Sequence, residues 1–222
     1  VQTSCCRQCR LSIVVLHMTP NQIGTMLSAV VDARSYEALP TDLFELVLSG
    51  PSVQNVPTRD TAAVVHSLIE DAQHEIILVT YSIYRGKELF GRLAQRLDET
   101  PDLNLEFYLN IGRKKGDTSL SSEIVKRYVR DFRKYNWPRD VLPSIYYDPR
   151  ALSDDWSSRS ALHAKGVVID GRTALLTSAN FSEAAQKRNV EVGVLINHAA
   201  TVERLRNYLI GLREDGGFVP VS

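Results

Sequence analysis

Helical and extended hydrophobic patterns alternate along most of this chain. Some windows place apolar residues at helical spacing, and others are short apolar runs rich in Ile, Val and Tyr. The predicted helices span 59–72, 86–99, 121–135 and 200–214, and the predicted strands span 75–84, 103–111, 143–148, 161–170, 173–178 and 190–196. Strands separated by helical periods predict an α/β sandwich, with a β-sheet covered by helices on both sides.

The first 52 residues do not share this alternation. Residues 21–39 have helical spacing with apolar side chains on one side, and residues 41–51 follow with an acidic start and a Gly-Pro stop. We therefore predict a short helical extension over residues 18–52 and a main domain over residues 53–222. Residues 1–17 are expected to be a disordered tail or a start-site artefact.

Cysteine usage limits what can stabilise the main domain. Cys5, Cys6 and Cys9 are the three cysteines of the chain, so the body of the fold has no disulfide scaffold. Cys6 and Cys9 with His17 lack a fourth zinc ligand. We therefore predict neither a metal site nor another cofactor.

Overall charge and hydropathy limit the class of protein. The formal net charge is +0 and 44% of residues are hydrophobic, so no overall field draws the chain to nucleic acid or to a membrane. No apolar run approaches the roughly 20 residues that span a bilayer. We expect a cytoplasmic protein whose attraction to phosphate, if any, comes from local clusters.

The predicted strands near the C-terminus carry an unusual polar set. His163 and Lys165 lie two residues apart in a predicted strand, so their side chains point to the same face. A Gly-Arg turn returns the next strand beside the first, which brings Ser178 and Asn180 near His163. The following strand adds Glu191, so three sequence-local strands predict one polar cluster.

This set of side chains suits the chemistry of a phosphodiester. An imidazole can act as a nucleophile or an acid near neutral pH. Lysine and asparagine donate to nonbridging phosphate oxygens, and a carboxylate such as Glu191 can hold an imidazole by its second nitrogen. The cluster has too few carboxylates for a two-metal site.

The same residues resemble a known motif. "HAKGVVID" is similar to the His-x-Lys-x4-Asp (HKD) motif of the phospholipase D superfamily. "TSAN" fits its Gly-Ser-x-Asn element, with Thr177 in place of the glycine. The resemblance covers the chain from about Arg59 onward and implies a phospholipase D-like sandwich with a mixed sheet flanked by helices. It also implies a phosphohistidine intermediate formed without metal, and a site made of His163, Lys165, Asn180, Glu191, Ser178 and, in a supporting role, Asp170.

Known members of that superfamily bring two copies of the motif face to face. This chain has one copy, because no histidine other than His163 is followed two residues later by lysine. The resemblance therefore implies a homodimer with one shared active site, as in single-motif nucleases rather than two-motif lipid hydrolases. "LVLSGP", "RDT" and "FYLNIGR" resemble the DISARM phage-defence branch, which implies defence-system proteins as further partners.

Positive charge is concentrated ahead of the motif. Residues 107–165 hold twelve Lys or Arg against seven Asp or Glu, and the helix at 121–135 has an apolar stripe with cations on its outer face. A nucleic-acid track is one interpretation, and a solvated helix face is the other. Tyr146, Tyr147 and Trp156 are candidates either for base stacking or for the core. The candidate nucleic-acid-binding residues are Arg113, Lys114, Lys115, Lys126, Arg127, Arg130, Arg133 and Lys134.

These features predict a metal-independent phosphodiesterase that cleaves DNA or RNA in a homodimer, and the resemblance implies a role in antiviral defence. Two alternatives remain open. A phospholipase D-type lipid hydrolase or transferase would share the chemistry, although the chain shows no amphipathic membrane helix rich in Trp or Phe. A catalytically dispensable subunit that binds phosphate or nucleic acid within a defence complex is the other.

Overall fold

The computed structural model describes residues 19–36, 43–51, 59–182 and 189–221. Residues 1–17, for which a tail or artefact is expected, lie outside the described residues together with the three cysteines. Helix α1 (Pro20–Tyr36) forms where helical spacing predicts it and belongs to a compact unit separate from residues 42–222.

Residues 42–222 contain the sheet and the remaining helices. The helices of this unit are α2 (Thr61–Asp71), α3 (Gly86–Leu89), α4 (Gly91–Glu99), α5 (Ser121–Tyr135) and α6 (Ala199–Glu214), with 3-10 turns at Pro149–Leu152 and Trp156–Ser158. The strands are β1 (Phe44–Ser49), β2 (Glu75–Thr80), β3 (Ile83–Tyr84), β4 (Asn104–Leu109), β5 (Ser144–Tyr147), β6 (Gly166–Ile169), β7 (Thr173–Thr177), β8 (Phe181–Ser182), β9 (Glu191–Ile196) and β10 (Val219–Pro220).

The main sheet is mixed and has eight strands in the order β1-β9-β7-β6-β2-β4-β5-β10. Strand β4 pairs in parallel with both β2 and β5. On the other side of β2, strands β6, β7, β9 and β1 continue the sheet in antiparallel pairs. Strands β3 and β8 form a separate two-stranded parallel pair. The antiparallel half of the sheet therefore carries the predicted polar cluster.

Apolar side chains alternate between two cores on opposite faces of the sheet. Ile76 and Leu78 of β2 belong to the core that α2, α4 and α5 cover. Ile77 and Val79 belong to the core that α6 covers. Each fully buried side chain of this kind contributes about 1.5–3 kcal/mol of transfer free energy. The predicted α/β sandwich with a mixed sheet is confirmed.

The prediction of a helical extension is wrong for its second half. Residues 44–49 form strand β1, which pairs antiparallel with β9 and places Leu48 opposite Val192. A short apolar run fits a helix turn or a strand equally well, and here pairing with a strand about 150 residues later decides the outcome. The sheet unit therefore begins at Asp42 rather than at residue 53.

None of the helices in the described ranges is long and apolar enough to cross a membrane. The longest, α1, has 17 residues, fewer than the roughly 20 apolar residues that a span needs.

Candidate active site

His163 and Lys165 meet at the start of strand β6. The predicted strand at 161–170 is shorter than expected, and both residues lie in the irregular segment that leads into Gly166. Their side chains nevertheless converge, with Nζ of Lys165 3.1 Å from Nδ1 of His163. Nζ also donates to the backbone oxygen of His163 at 2.7 Å. The backbone therefore holds the ammonium in place beside the ring.

The two residues differ in exposure. His163 is exposed, whereas Lys165 is buried, with 9% of its surface accessible. Burial lowers the pKa of the Lys165 ammonium because it disfavours the charged form, and the negative charge of Glu191 opposes this effect. An exposed ring beside a partly desolvated cation can reach a bound anion while the cation meets its charge.

Close backbone contact fixes the segment that carries Lys165. At Gly166 an added Cβ would lie 2.6 Å from the carbonyl oxygen of Leu175, so only glycine lets β7 approach this closely. The amide of Thr177 donates to the carbonyl oxygen of Lys165 at 3.1 Å. The end of β7 is therefore tied to the start of β6, which brings the residues after Thr177 to the same region.

Ser178 and Glu191 form a second pair within this region. Ser178 Oγ donates to Glu191 Oε2 at 2.5 Å and accepts the backbone N–H of Val192 at 3.1 Å. The other carboxylate oxygen of Glu191 accepts from Nδ2 of Asn189 at 3.1 Å. Among the described residues no hydrogen bond joins Glu191 to His163, so within one chain the carboxylate acts on Lys165 through charge.

The loop from Thr177 to Asn180 follows strand β7. Thr177 stands where the resembled motif has glycine, and its Oγ1 accepts the amide of Ala179 at 3.0 Å, which shapes the turn. Oδ1 of Asn180 is buried without a hydrogen-bond partner in the described part of the chain. A buried acceptor of this kind is costly unless a donor reaches it.

Asp170 lies away from this cluster. It follows the far end of β6, about 17 Å along an extended chain from Lys165. Its carboxylate accepts the backbone amides of Gln73, His74 and Glu75 at 2.8–3.0 Å, and its φ of 51° turns the chain. Burial raises the pKa of the Asp170 carboxyl, but these three donors outweigh it and hold the pKa below its usual value. Asp170 anchors the start of β2.

Tyr81 belongs to the site although the sequence analysis did not select it. Its ring lies 5.0 Å from the His163 ring, centroid to centroid, and Nζ of Lys165 lies 5.5 Å from its centre. Tyr81 follows the end of β2, and β2 pairs with β6 so that Val79 faces Gly166. That pairing brings Tyr81 beside the segment that carries His163. The sequence alone does not select Tyr81, because selecting it requires knowing that β2 and β6 are neighbours.

The predicted basic residues divide into two groups. Arg113 does not face outward as expected, because its side chain is buried and bonds to the carbonyl oxygens of Leu152, Asp117 and Ser119. The other candidates are exposed: Lys114, Lys115, Lys126, Arg127, Arg130, Arg133 and Lys134. Several of these have acidic neighbours, as Arg127 has in Asp117.

Tyr81 and the exposed basic loop line the same groove. Its volume is about 520 Å³, and we call it the basic groove, lined among others by Tyr81, Asn110, Lys114, Lys115, Arg127 and Trp156. Oδ1 of Asn110 accepts the backbone N–H of Leu162 at 3.1 Å, next to His163. The groove and the histidine site are therefore contiguous. In the described part of the chain, no group of three His, Cys, Asp or Glu side chains could hold a metal ion.

Comparisons with known proteins give the same fold. The model of the family described as "Cardiolipin synthase, PLD-like domain" matches residues 65–212. The DISARM protein DrmC of Bacillus paralicheniformis is 25% identical over 176 residues, which cover 78% of this chain and 65% of that protein. The chain thus spans less than two thirds of that relative's length.

Solved structures resemble the chain at lower identity. The phosphatidylserine synthase of Haemophilus influenzae has a TM-score of 0.51 at 12% identity, over 80% of this chain and 39% of that one. The phospholipase D family member Nuc of Salmonella typhimurium has a TM-score of 0.47 at 17% identity, over 74% of this chain and 90% of that one. The first of these supports the fold alone.

Proposed function

Because this chain belongs to the phospholipase D-like domain family of cardiolipin synthase, we propose that it is a metal-independent phosphodiesterase that cleaves nucleic acid. The observation that carries the proposal is the 3.1 Å approach of Lys165 Nζ to the exposed ring of His163. Glu191, at the start of β9, acts on Lys165 through charge, and Ser178, which follows β7, donates to Glu191.

The reaction we propose has two displacement steps. A ring nitrogen of one subunit's His163 attacks phosphorus, and the bond from phosphorus to the leaving oxygen breaks. The His163 ring of the second subunit gives its proton to that oxygen. Lys165 stabilises the charge on the nonbridging oxygens, and we assign Asn180 as a second donor to them. Water then attacks phosphorus and gives a proton to the second ring, and the bond from phosphorus to the first ring's nitrogen breaks, which restores both histidines.

A second copy of the chain is required because one imidazole cannot be nucleophile and acid in the same step. An exposed apolar face lies on strands β1, β7 and β9, the last of which carries Glu191 on its opposite side. Its side chains include Leu46, Leu176 and Val192, of which Leu46 is 62% and Val192 is 54% exposed. Exposed apolar clusters of this kind mark interaction surfaces. We assign this face, the β-face, to a second copy whose His163 completes the site.

Nucleic acid is the proposed substrate because cations line the approach to His163. Lys114, Lys115 and Arg127 border the basic groove, which is also lined by Tyr81 beside the His163 ring. Phosphate backbones bind such clusters largely by charge. The similarity to the DISARM protein DrmC supports a role in phage defence with other defence proteins as partners.

A substrate panel tests the proposal. Single-stranded and double-stranded DNA, RNA and phospholipid vesicles are incubated with the protein in EDTA. We expect cleavage of nucleic acid, its loss in His163→Ala, and its retention in the control His66→Ala, which removes an exposed histidine on α2. Hydrolysis of lipid alone would replace nucleic acid with a lipid substrate. Binding of nucleic acid without cleavage in any arm would reduce the site to a phosphate-binding one.

A further inference from the structure

The basic groove combines an apolar floor with a cationic rim. Ile111, Ile124 and Phe132 are buried residues that border it, whereas Lys114 and Lys115 are exposed. A phosphate track alone needs only cations. An apolar floor beneath them adds a surface that suits a flat, weakly polar group attached to a phosphate.

Trp156 lines the groove, and its side chain is exposed although neighbouring residues hold it in place. Its side chain is 67% exposed, although large aromatic side chains are normally covered. The guanidinium of Arg159 lies 5.0 Å from the centre of its ring, and Nε of Arg159 donates to the carbonyl oxygen of Ser153 at 2.7 Å. Asp155 caps the short turn that carries Trp156. The indole is therefore held in place without being buried.

The basic loop is fixed in the same way by Arg113. The guanidinium of this buried residue donates to Leu152 O at 2.9 Å, to Asp117 O at 3.0 Å and to Ser121 Oγ at 3.1 Å. These bonds tie the loop that carries Lys114 and Lys115 both to the 3-10 turn before Trp156 and to the start of α5. The two sides of the groove are thus preorganised relative to each other, which lowers the entropy cost of binding.

We propose that the basic groove is a subsite for one unpaired nucleotide next to the scissile phosphate, with its base against Trp156 and its backbone on Lys114 and Lys115. The inference rests on the proposed function and adds that the substrate is single-stranded where it is cleaved. A volume of about 520 Å³ is that of a small-ligand pocket and suits one base with its phosphate. A base must therefore leave its stack to enter, which costs least in single-stranded nucleic acid.

Tryptophan fluorescence tests the subsite without turnover. Trp156 is exposed and Trp137 is buried, with 1% of its surface accessible, so a stacked base quenches the former selectively. Oligothymidylate is titrated into His163→Ala protein. We expect saturable quenching that is lost in Trp156→Phe, and about tenfold weaker binding in Trp156→Ala, since stacking is worth roughly 1–3 kcal/mol per base. Lys115→Gln should weaken binding, whereas Arg204→Gln, which removes an exposed charge on α6, should not.

A cleavage assay separates this inference from the proposed function. With an oligonucleotide, Trp156→Ala should lower kcat/KM about tenfold. With an oligomer of abasic sites, which offers phosphodiesters but no bases, Trp156→Ala should match the wild type. Equal losses on both substrates, or quenching that persists in Trp156→Phe, would overturn the subsite. If the wild type cleaves neither oligomer, the proposed function fails, and the fluorescence titration alone decides the inference.

Discussion

The Nζ atom of Lys165 lies 3.1 Å from Nδ1 of His163 and 2.7 Å from the backbone oxygen of the same residue. The second bond fixes the ammonium on the chain, so its position does not depend on the rotamer of the ring. The ring remains exposed and can reach a phosphorus atom while the cation meets a nonbridging oxygen. One chain therefore supplies a single imidazole, that of His163, as the nucleophile, and a single cation, that of Lys165, as the charge stabiliser.

Subunit mixing should show that each active site needs two chains. His163→Ala chains are unfolded and refolded with wild-type chains in varied ratios. If each active site needs two histidines, heterodimers are nearly inactive and activity follows the square of the wild-type fraction. An equal mixture should then retain about one quarter of the activity.

The control for mixing is His66→Ala, which should give a constant activity at every ratio. A fall that is linear in the wild-type fraction would show that each chain acts alone, and it would remove the second imidazole from the mechanism.

The β-face should control assembly. Leu46 and Val192 lie exposed on adjacent strands near Glu191, and an aspartate at either position would place a charge in a dry contact. We expect Val192→Asp to be a folded monomer by light scattering, with activity near that of His163→Ala. Val141→Asp is the matched control, because Val141 is 74% exposed in the loop before β5. A fully dimeric Val192→Asp protein would contradict the assignment of this face.

The sequence pattern predicts a helix or strand well when the residues of that element alone determine it. Helix α5 begins and ends at the predicted residues because its apolar stripe and cationic face lie within 15 consecutive residues. The pairs His163–Lys165 and Ser178–Glu191 could also be predicted, because β6, β7 and β9 follow one another closely along the chain.

The remaining features depend on contacts between distant segments. Arg113 reads as one more cation in a basic loop, and only the approach of Leu152 and Ser119 buries it. Tyr81 reaches His163 because β2 pairs with a strand some 90 residues later. Asp170 is close to Lys165 in sequence, yet the strand between them carries it away from the site.

Asp170 should contribute to stability through its charge. Asp170→Asn keeps a side chain that tolerates positive φ but weakens the bonds to three backbone amides. We expect a loss of about 1–3 kcal/mol in the free energy of unfolding at pH 7, measured with urea. The exposed Asp102→Asn serves as the control.

The pH dependence of this loss has a definite sign. The pKa of Asp170 is lower in the folded chain than in the unfolded chain, so its contribution is complete above the unfolded pKa, near 4. It disappears as the pH falls through the folded pKa. The difference between wild type and Asp170→Asn should therefore be constant from pH 7 to 5 and shrink below about pH 4. A difference that grows in acid would contradict this account.

The pKa of Lys165 should depend on Glu191. Burial lowers the pKa of Lys165, the charge of Glu191 opposes that effect, and the mechanism needs Lys165 protonated. Glu191→Gln removes the opposing charge and keeps an acceptor for Ser178 Oγ, so the pKa of Lys165 should move to lower values. The rate at which an amine-reactive reagent labels Lys165, followed by mass spectrometry across pH, reports this pKa directly, because only the neutral amine reacts.

Labelling of the exposed Lys115 should not change, and neither should labelling of Lys165 in the control Glu203→Gln on α6. If Glu191→Gln leaves the labelling profile of Lys165 in place, the carboxylate does not act on this lysine, and its bond to Ser178 is its whole contribution to the site.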